Sequence, residues 1–165
     1  METRTSSQAP NLTKSFLDYF LTLPLSDKTI VEIGSAPWSH KFWQSKCKTL
    51  YSYEDDLTYF KQTMYPFDHE YYKNSNFIKH LAQADYVIID NEPNRIPRYD
   101  FACFVPRYTK GQIILDNSYW HLKAHNYLCK LYFNKDFAGK NKENDMTVTT
   151  LYDVKKDTNY QFYNG

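Results

Sequence analysis

The chain has 165 residues, which suits one domain with a sizeable core and leaves no room for a second domain of ordinary size. Hydrophobic residues make up 42% of the sequence and charged residues 24%, a balance typical of globular proteins. The formal net charge is +1, so the sequence carries no strong nucleic-acid signal, because nucleic-acid-binding surfaces need a marked excess of lysine and arginine.

Cysteine usage and hydropathy exclude further classes of protein. Cys47, Cys103 and Cys129 are far apart and show no CxxC spacing, which predicts free thiols rather than disulfides or a zinc site. The N-terminal residues contain no apolar run typical of a secretion signal, and no segment has the apolar length that spans a membrane. We therefore expect a cytoplasmic protein that does not associate with membranes.

The first predicted elements are two helices on either side of a strand. Apolar residues at helical spacing predict a helix over residues 12–23, which Pro24 ends. A β-branched run over residues 28–34 predicts a buried strand that meets a turn at its glycine. Pro37 is suited to the first turn of the next helix, where its missing N–H costs nothing.

Three further strands follow in the sequence. Residues 49–53 predict a second strand, followed by a helix over residues 57–65. Residues 85–90 and 111–116 are short apolar runs that predict two more buried strands, and a helix is expected from about residue 119 to residue 131. Strands that alternate with helices indicate βαβ units and a parallel sheet.

The remaining segments complete the prediction of the fold. Residues 1–10 are polar and are expected to be a disordered tail, ahead of a single domain over residues 11–165. Residues 132–137 and 146–154 predict a closing pair of antiparallel strands. Residues 66–84 have comfortable room for only one element where a complete fold has a strand and a helix. The prediction is a Rossmann-like, three-layer α/β/α sandwich with a mostly parallel sheet, an antiparallel C-terminal edge and a trimmed middle.

Acidic residues follow three of the four clear strands, at Glu54, Asp90 and Asp116. The carboxyl ends of parallel strands meet at one edge of a sheet, where ligands bind. Gly34, Ser35 and Ala36 form the turn after the first strand and are small enough for a close approach of a ligand. Glu54 lies 20 residues beyond Gly34, a separation at which a carboxylate binds the ribose hydroxyls of a cofactor. The alternative is a tight strand-to-helix turn in an α/β domain that binds nothing.

These motifs together resemble those of class I S-adenosylmethionine-dependent methyltransferases, and especially small bacterial members. The resemblance covers about residues 12–154 and rests on five segments: residues 31–36 (VEIGSA), 51–56 (YSYEDD), 85–90 (DYVIID), 111–117 (GQIILDN) and the tail over 136–150. The second glycine usual in the first motif is replaced by Ala36, which Pro37 and Trp38 follow. Residues 66–84, where the family places residues around adenine, leave the adenine pocket unassigned.

The resemblance implies a set of roles. Contacts to the methionine part of S-adenosylmethionine fall to Glu32, Gly34, Ser35 and Ala36. Glu54 is expected to bind the ribose, and Asp90 to lie beside the sulfonium that donates the methyl group. The implied reaction is methyl transfer to an oxygen or nitrogen of a small-molecule or glycan-type acceptor, driven mainly by proximity and alignment.

Asp90, Asp116 and Asn117 also suggest a metal ion. They are similar in position to the residues that hold a divalent cation in catechol-type O-methyltransferases, and hard oxygen ligands suit Mg²⁺. Such an ion lowers the pKa of a substrate hydroxyl and positions it for attack. The alternative is that Asp116 and Asn117 cap the helix that starts near Tyr119.

The histidines offer a candidate base. His121 and His125 lie four residues apart, but the glutamate of an HExxH zinc motif is absent between them, so surface or interface histidines are the alternative to a metal role. His121 is close to a strand end and is the candidate general base near neutral pH, beside Asp90 as the other catalytic residue. His40 and Trp38 are placed where they could border the acceptor site.

Two other functions stay open at this stage. The chain could be a binding or scaffold module that kept the methyltransferase fold and lost the reaction, as its length, its missing second glycine and its compressed middle suggest. It could instead be a different nucleotide-binding Rossmann protein, although the lack of a GxGxxG loop counts against dinucleotides. Because acceptor-binding insertions are scarce, we expect an open pocket or one that a second copy of the chain completes.

Overall fold

Strands and helices alternate along the chain in a computed structural model that describes residues 9–56 and 64–156. The described residues form seven strands: β1 Thr29–Ile33, β2 Thr49–Glu54, β3 Tyr65–Pro66, β4 Tyr86–Ile89, β5 Gln112–Leu115, β6 Tyr132–Lys140 and β7 Met146–Lys155. They also form five α-helices: α1 Lys14–Phe20, α2 Pro37–Gln44, α3 Ser75–Gln83, α4 Arg98–Phe104 and α5 Leu122–Leu131.

All seven strands belong to one sheet, in the order β3-β2-β1-β4-β5-β7-β6. The first five strands pair in parallel, and β7 runs antiparallel between β5 and β6. From the β1–β4 pair the chain order runs outward in both directions, so a topological switch point lies there. The mostly parallel sheet with an antiparallel C-terminal edge confirms the predicted class.

Helices cover both faces of the sheet. The side chains of β1 alternate, so that Val31 and Ile33 pack with α3, α4 and α5 while Ile30 packs with α1 and α2. Strand β4 alternates in the same way, with Val87 and Ile89 on one face and Ile88 on the other. Each face therefore has its own apolar core, which gives the predicted three layers.

Most predicted elements are present with shorter bounds. The first helix spans Lys14–Phe20 rather than residues 12–23, because the Thr13 hydroxyl accepts from the Phe16 N–H and fixes its start. The C-terminal strands are longer than predicted. The helix predicted over residues 57–65 lies outside the described residues except at its end, where Tyr65 belongs to β3. Of the predicted tail over residues 1–10, only Ala9 and Pro10 are described.

The compressed middle and one helix were harder to predict. Residues 66–84 hold one full element, α3, and the strand before it is reduced to Tyr65–Pro66. The prediction contained no element between β4 and β5, whereas α4 occupies Arg98–Phe104 and continues into a 3-10 turn over Val105–Arg107. Phe101 and Phe104 are buried in the core, so α4 is needed to cover the sheet.

The described part of the chain contains no membrane-spanning helix and no disulfide. Within residues 9–56 and 64–156, no helix has the length and apolarity to cross a membrane. Cys47, Cys103 and Cys129 are free thiols, and Cys103 is buried.

Candidate functional site

A pocket of about 350 Å³ lies at the carboxyl edge of the parallel strands. The turn after β1, the ends of β2, β4 and β5, the β6–β7 turn and the segment before α1 all contribute to its lining. The volume is at the lower end of the range of small-molecule sites, about 300–1,000 Å³. The position is the crevice in which open α/β sheets bind their ligands.

The structure places most of the predicted site residues in this pocket. Those that line it are Gly34, Ser35, Ala36, Glu54, Asp90 and Asn117. Its described lining does not include Glu32, Asp116 or His121. The lining side chains that the sequence did not single out are Asn11, Ser39, Glu92, Arg98, Lys142 and Glu143.

The backbone conformation and packing of the protein require a glycine at position 34. Its φ of +85° is a left-handed conformation that side chains disfavour, and a Cβ would lie 2.5 Å from Asn91 N. The Gly34 N–H also donates to the Tyr53 carbonyl at 2.8 Å. The sequence predicted a close approach of a ligand here; the structure shows a close approach of the β4–α4 loop, which holds the turn against the sheet.

Glu54 anchors the turn from the end of β2. Its Oε1 accepts from the Ser35 N–H at 2.7 Å, and its Oε2 accepts from the N–H groups of Asp55 and Asp56 at 3.1 and 2.8 Å. Burial raises the pKa of Glu54 to about 7, although the N–H groups of Asp56 and Ser35 act in the opposite direction. The carboxylate thus joins the β1 turn to the β2 end along one wall of the pocket.

Glu32 lies beneath the turn and not on the pocket surface. It is 3% exposed, and its Oε1 accepts from the hydroxyls of Ser35 and Ser52, both at 2.7 Å. His40 Nδ1 lies 2.8 Å from Ser52 Oγ, so His40 belongs to this buried network. It is not part of the described pocket lining, although the sequence suggested that it could border the acceptor site. Glu32 supports the turn from below. This buried position does not favour the predicted contact with the cofactor.

Burial raises the pKa of Glu32 from 4.5 to about 7, although its hydroxyl donors lower it. Between these two pH values the folded chain binds more protons than the unfolded chain, so the free energy of unfolding falls as the pH rises. We expect Glu32→Gln, which keeps the Oε1 acceptor, to reduce this fall by about 3 kcal/mol. Urea denaturation of both chains at pH 4.5, 6 and 8 measures the free energy of unfolding at each pH.

The exposed Glu70 gives a matched control, since Glu70→Gln removes a carboxylate without touching the network. It should leave the pH dependence as in the parent chain. A Glu32→Gln variant with the parent's pH dependence would show that Glu32 stays ionised in the folded protein.

Arg98 joins the ends of β4 and β5. It begins α4, is 6% exposed, and donates from Nε to the Asn91 carbonyl at 2.8 Å and from Nη1 to the Asp116 carbonyl at 2.6 Å. Its Nη2 lies 3.3 Å from Asp90 Oδ1. A cation in the first turn of a helix is unfavourable toward the helix dipole, but the sequence predicts no helix here, so this signal could not mark Arg98.

Asp116 and Asn117 point their side chains toward β7. Asp116 is fully buried; its Oδ1 accepts from the Thr149 hydroxyl at 2.9 Å, and its Oδ2 has no partner among the described residues. Burial raises the pKa of Asp116 well above its usual range, and the charge of Asp90 adds to the rise. Asn117 Oδ1 accepts from the Thr147 hydroxyl at 2.7 Å. Neither side chain caps the following helix, so the capping interpretation is wrong.

The two histidines of α5 differ in environment. His121 precedes α5, and burial together with the charge of Arg98 lowers its pKa to about 4. It is a weak base at neutral pH and lies outside the described pocket lining, so its catalytic role stays a prediction. His125 is buried with Nδ1 2.6 Å from the Tyr152 hydroxyl, which corrects the expectation of a surface histidine.

The β6–β7 turn closes the pocket from the far side. Lys142 donates from Nζ to the Ala9 carbonyl at 2.9 Å. The same Nζ lies 4.9 Å from the centre of the Trp38 ring at the start of α2. Trp38 also lines the pocket, and its predicted place at an acceptor site stays a prediction.

Sequence comparisons give no assignment: no family model and no curated protein matches the chain. Solved structures do match. The precorrin-6y C5,15-methyltransferase from Geobacter metallireducens superposes with a TM-score of 0.54 at 16% identity, over 82% of this chain and 84% of that one. Cofactor-bound Rv0187 from MTB gives 0.58 at 11% identity, over 93% and 82%.

A third similar structure contains ligands. MycE methyltransferase from the mycinamycin biosynthetic pathway, solved with Mg and SAH, gives a TM-score of 0.54 at 14% identity over 86% of this chain and 46% of that one. At these identities the likeness concerns the fold. The chain has the fold of class I S-adenosylmethionine-dependent methyltransferases, as the sequence resemblance predicted.

Proposed function

We propose that the chain transfers a methyl group from S-adenosylmethionine to an oxygen or nitrogen of a small-molecule or glycan-type acceptor. The observation that carries the proposal is the pairing of the β1 turn with Glu54 at the wall of a pocket on the ligand-binding edge of the sheet. The methyltransferases of similar fold support it.

The residues present fit a cofactor of positive charge. Four lining side chains are acidic, namely Glu54, Asp90, Glu92 and Glu143, whereas two are basic, namely Arg98 and Lys142. S-adenosylmethionine supplies a methyl group on a cationic sulfur: the acceptor–CH₃ bond forms as the S–CH₃ bond breaks, and the bonding pair stays on sulfur. Glu54 would accept the ribose hydroxyls, the turn over residues 34–36 would face the methionine part, and Asp90 would stabilise the positive charge.

A binding or scaffold module without turnover is the second candidate. Three backbone N–H groups already donate to Glu54, and Arg98 lies beside Asp90, so both acids have partners before any ligand arrives. A structural purpose for this edge of the sheet would explain the same contacts.

Calorimetry with S-adenosylmethionine and S-adenosylhomocysteine separates the two candidates. We expect both ligands to bind with a 1:1 stoichiometry, because the pocket keeps the turn and the acid that recognise them. Absence of binding at millimolar ligand would remove the methyltransferase proposal and leave the scaffold. The cytoplasmic location and a second copy that completes the pocket are further predictions, which fractionation and sedimentation would check.

A further inference from the structure

The cation that lies beside Asp90 is a side chain of the protein, Arg98. The Arg98 guanidinium is buried, and its bonds to two main-chain carbonyls at the ends of β4 and β5 fix it in place. It lines the pocket together with Asp90 and Asn117. A buried cation with two carbonyls and one carboxylate as partners is costly to move, because any displaced position would leave the charge without compensation.

The three residues predicted as metal ligands each have an oxygen bound to a protein donor. Asp90 Oδ1 faces Arg98, Asp116 Oδ1 accepts from Thr149, and Asn117 Oδ1 accepts from Thr147. Asp116 Oδ2 has no partner among the described residues, but Asp116 is fully buried and absent from the described pocket lining, so this oxygen does not reach a hydrated ion in the pocket. Mg²⁺ demands near-octahedral oxygen coordination and usually keeps several waters, for which this arrangement offers one partly exposed carboxylate. The residues do not fit a Mg²⁺ ion as they stand.

We propose that Arg98 is the resident cation beside Asp90 in the pocket, in place of a divalent metal ion, and that it binds an anionic oxygen of the acceptor. This inference rests on the proposed methyltransferase function. Three of the five N–H groups of the guanidinium donate to the partners named above, and the remaining two suit an oxygen of a carboxylate or an acidic phenolate. A single delocalised charge acidifies a neutral hydroxyl less than a divalent ion does, so the acceptor that fits arrives already ionised.

Such an acceptor also removes the need for a base. Its anionic oxygen forms the O–CH₃ bond while the S–CH₃ bond breaks, the electron pair stays on sulfur, and no proton moves. The described lining of the pocket contains no histidine, and His121 lies outside it. The acceptor class that Arg98 favours is a carboxylate or an acidic phenol.

A titration with Mn²⁺ as the probe ion tests the resident cation on the full chain without any cofactor. We expect the electron paramagnetic resonance signal to show no 1:1 binding that depends on Asp90. Saturable 1:1 binding in the parent chain that Asp90→Asn abolishes would overturn the proposal, since the carboxylate would then prefer a metal ion to Arg98.

A second experiment tests the anionic acceptor with benzoate and benzamide as matched probes of the chain saturated with S-adenosylhomocysteine. We expect benzoate to bind more tightly than benzamide, and Arg98→Met to weaken benzoate at least about tenfold while benzamide changes little. The control Arg107→Met removes an exposed cation outside the described pocket lining and should change neither affinity. Benzoate binding no tighter than benzamide, or indifferent to Arg98→Met, would overturn this assignment.

Arg98→Lys provides the second variant if Arg98→Met does not fold. It keeps the charge without the planar pair of donors, so an intermediate benzoate affinity is expected and an unchanged one would count against the assignment. Failure of the proposed function is seen separately, as absence of S-adenosylhomocysteine binding to the parent chain. The Mn²⁺ titration decides the resident cation in either case.

Discussion

Replacing Gly34 with alanine is expected to destabilise the chain by about 4 kcal/mol, which is a large part of the stability of a domain of this size. The residue has a φ of +85°, and the new Cβ would overlap the backbone at Asn91, which cannot move as a side chain can. Urea denaturation followed by circular dichroism measures the loss. A folded variant would also have its β4–α4 loop displaced from the pocket.

Gly139→Ala is the matched comparison. Gly139 has a φ of +153°, but the nearest atom to an added Cβ is Ser15 Oγ at 3.5 Å, so only the backbone strain applies. We expect a loss of about 1–2 kcal/mol. Equal losses in the two variants would mean that the contact with Asn91 does not restrict Gly34.

Replacing Glu54 with glutamine is expected to weaken the binding of S-adenosylmethionine about 100-fold. The amide supplies one acceptor oxygen where the carboxylate has two, and its NH₂ would face backbone N–H groups that need an acceptor. Both the turn and the ribose site lose their charged partner. Calorimetry of the folded variant measures the affinity, with Glu70→Gln as the surface control.

The pH dependence of S-adenosylmethionine binding gives a second test of Glu54. With a pKa of about 7, Glu54 is mostly protonated at pH 6 and mostly ionised at pH 8. Because the ionised form is the better acceptor, affinity should rise about tenfold over this interval in the parent chain and stay flat in Glu54→Gln. If Glu54→Gln bound S-adenosylmethionine as tightly as the parent chain at both pH values, the ribose would have to bind elsewhere.

The parallel core could be predicted from sequence because its signals are local. Strands β1, β4 and β5 are short β-branched runs, and each is followed by a glycine or an acidic residue that marks the sheet edge. The placement of Gly34, Glu54 and Asp90 in one pocket follows from parallel pairing alone. Pro37 likewise marked the start of α2 correctly.

The parts that escaped prediction depend on contacts between distant segments. Arg98 matters because its guanidinium reaches carbonyls after two different strands, and no spacing in the sequence encodes that reach. Glu32 looked like a ligand contact because it precedes the turn, yet strand alternation directs it away from the pocket toward α2. The sequence predicts a cap or a metal ligand at Asp116, although its partner is Thr149 on β7, 33 residues further along the chain.

Two segments far apart in the sequence share the rim of the pocket: Asn11 before α1 and Lys142 in the β6–β7 turn both line it, and Lys142 donates to the Ala9 carbonyl. A ligand that contacts both segments needs both of them folded against the sheet. Binding is therefore coupled to complete folding of the chain. At a concentration of 100 Kd, one ligand adds about 2.7 kcal/mol to the stability of the whole domain. A thermal shift assay can thus rank unknown acceptors against the cofactor-loaded chain without any measurement of turnover.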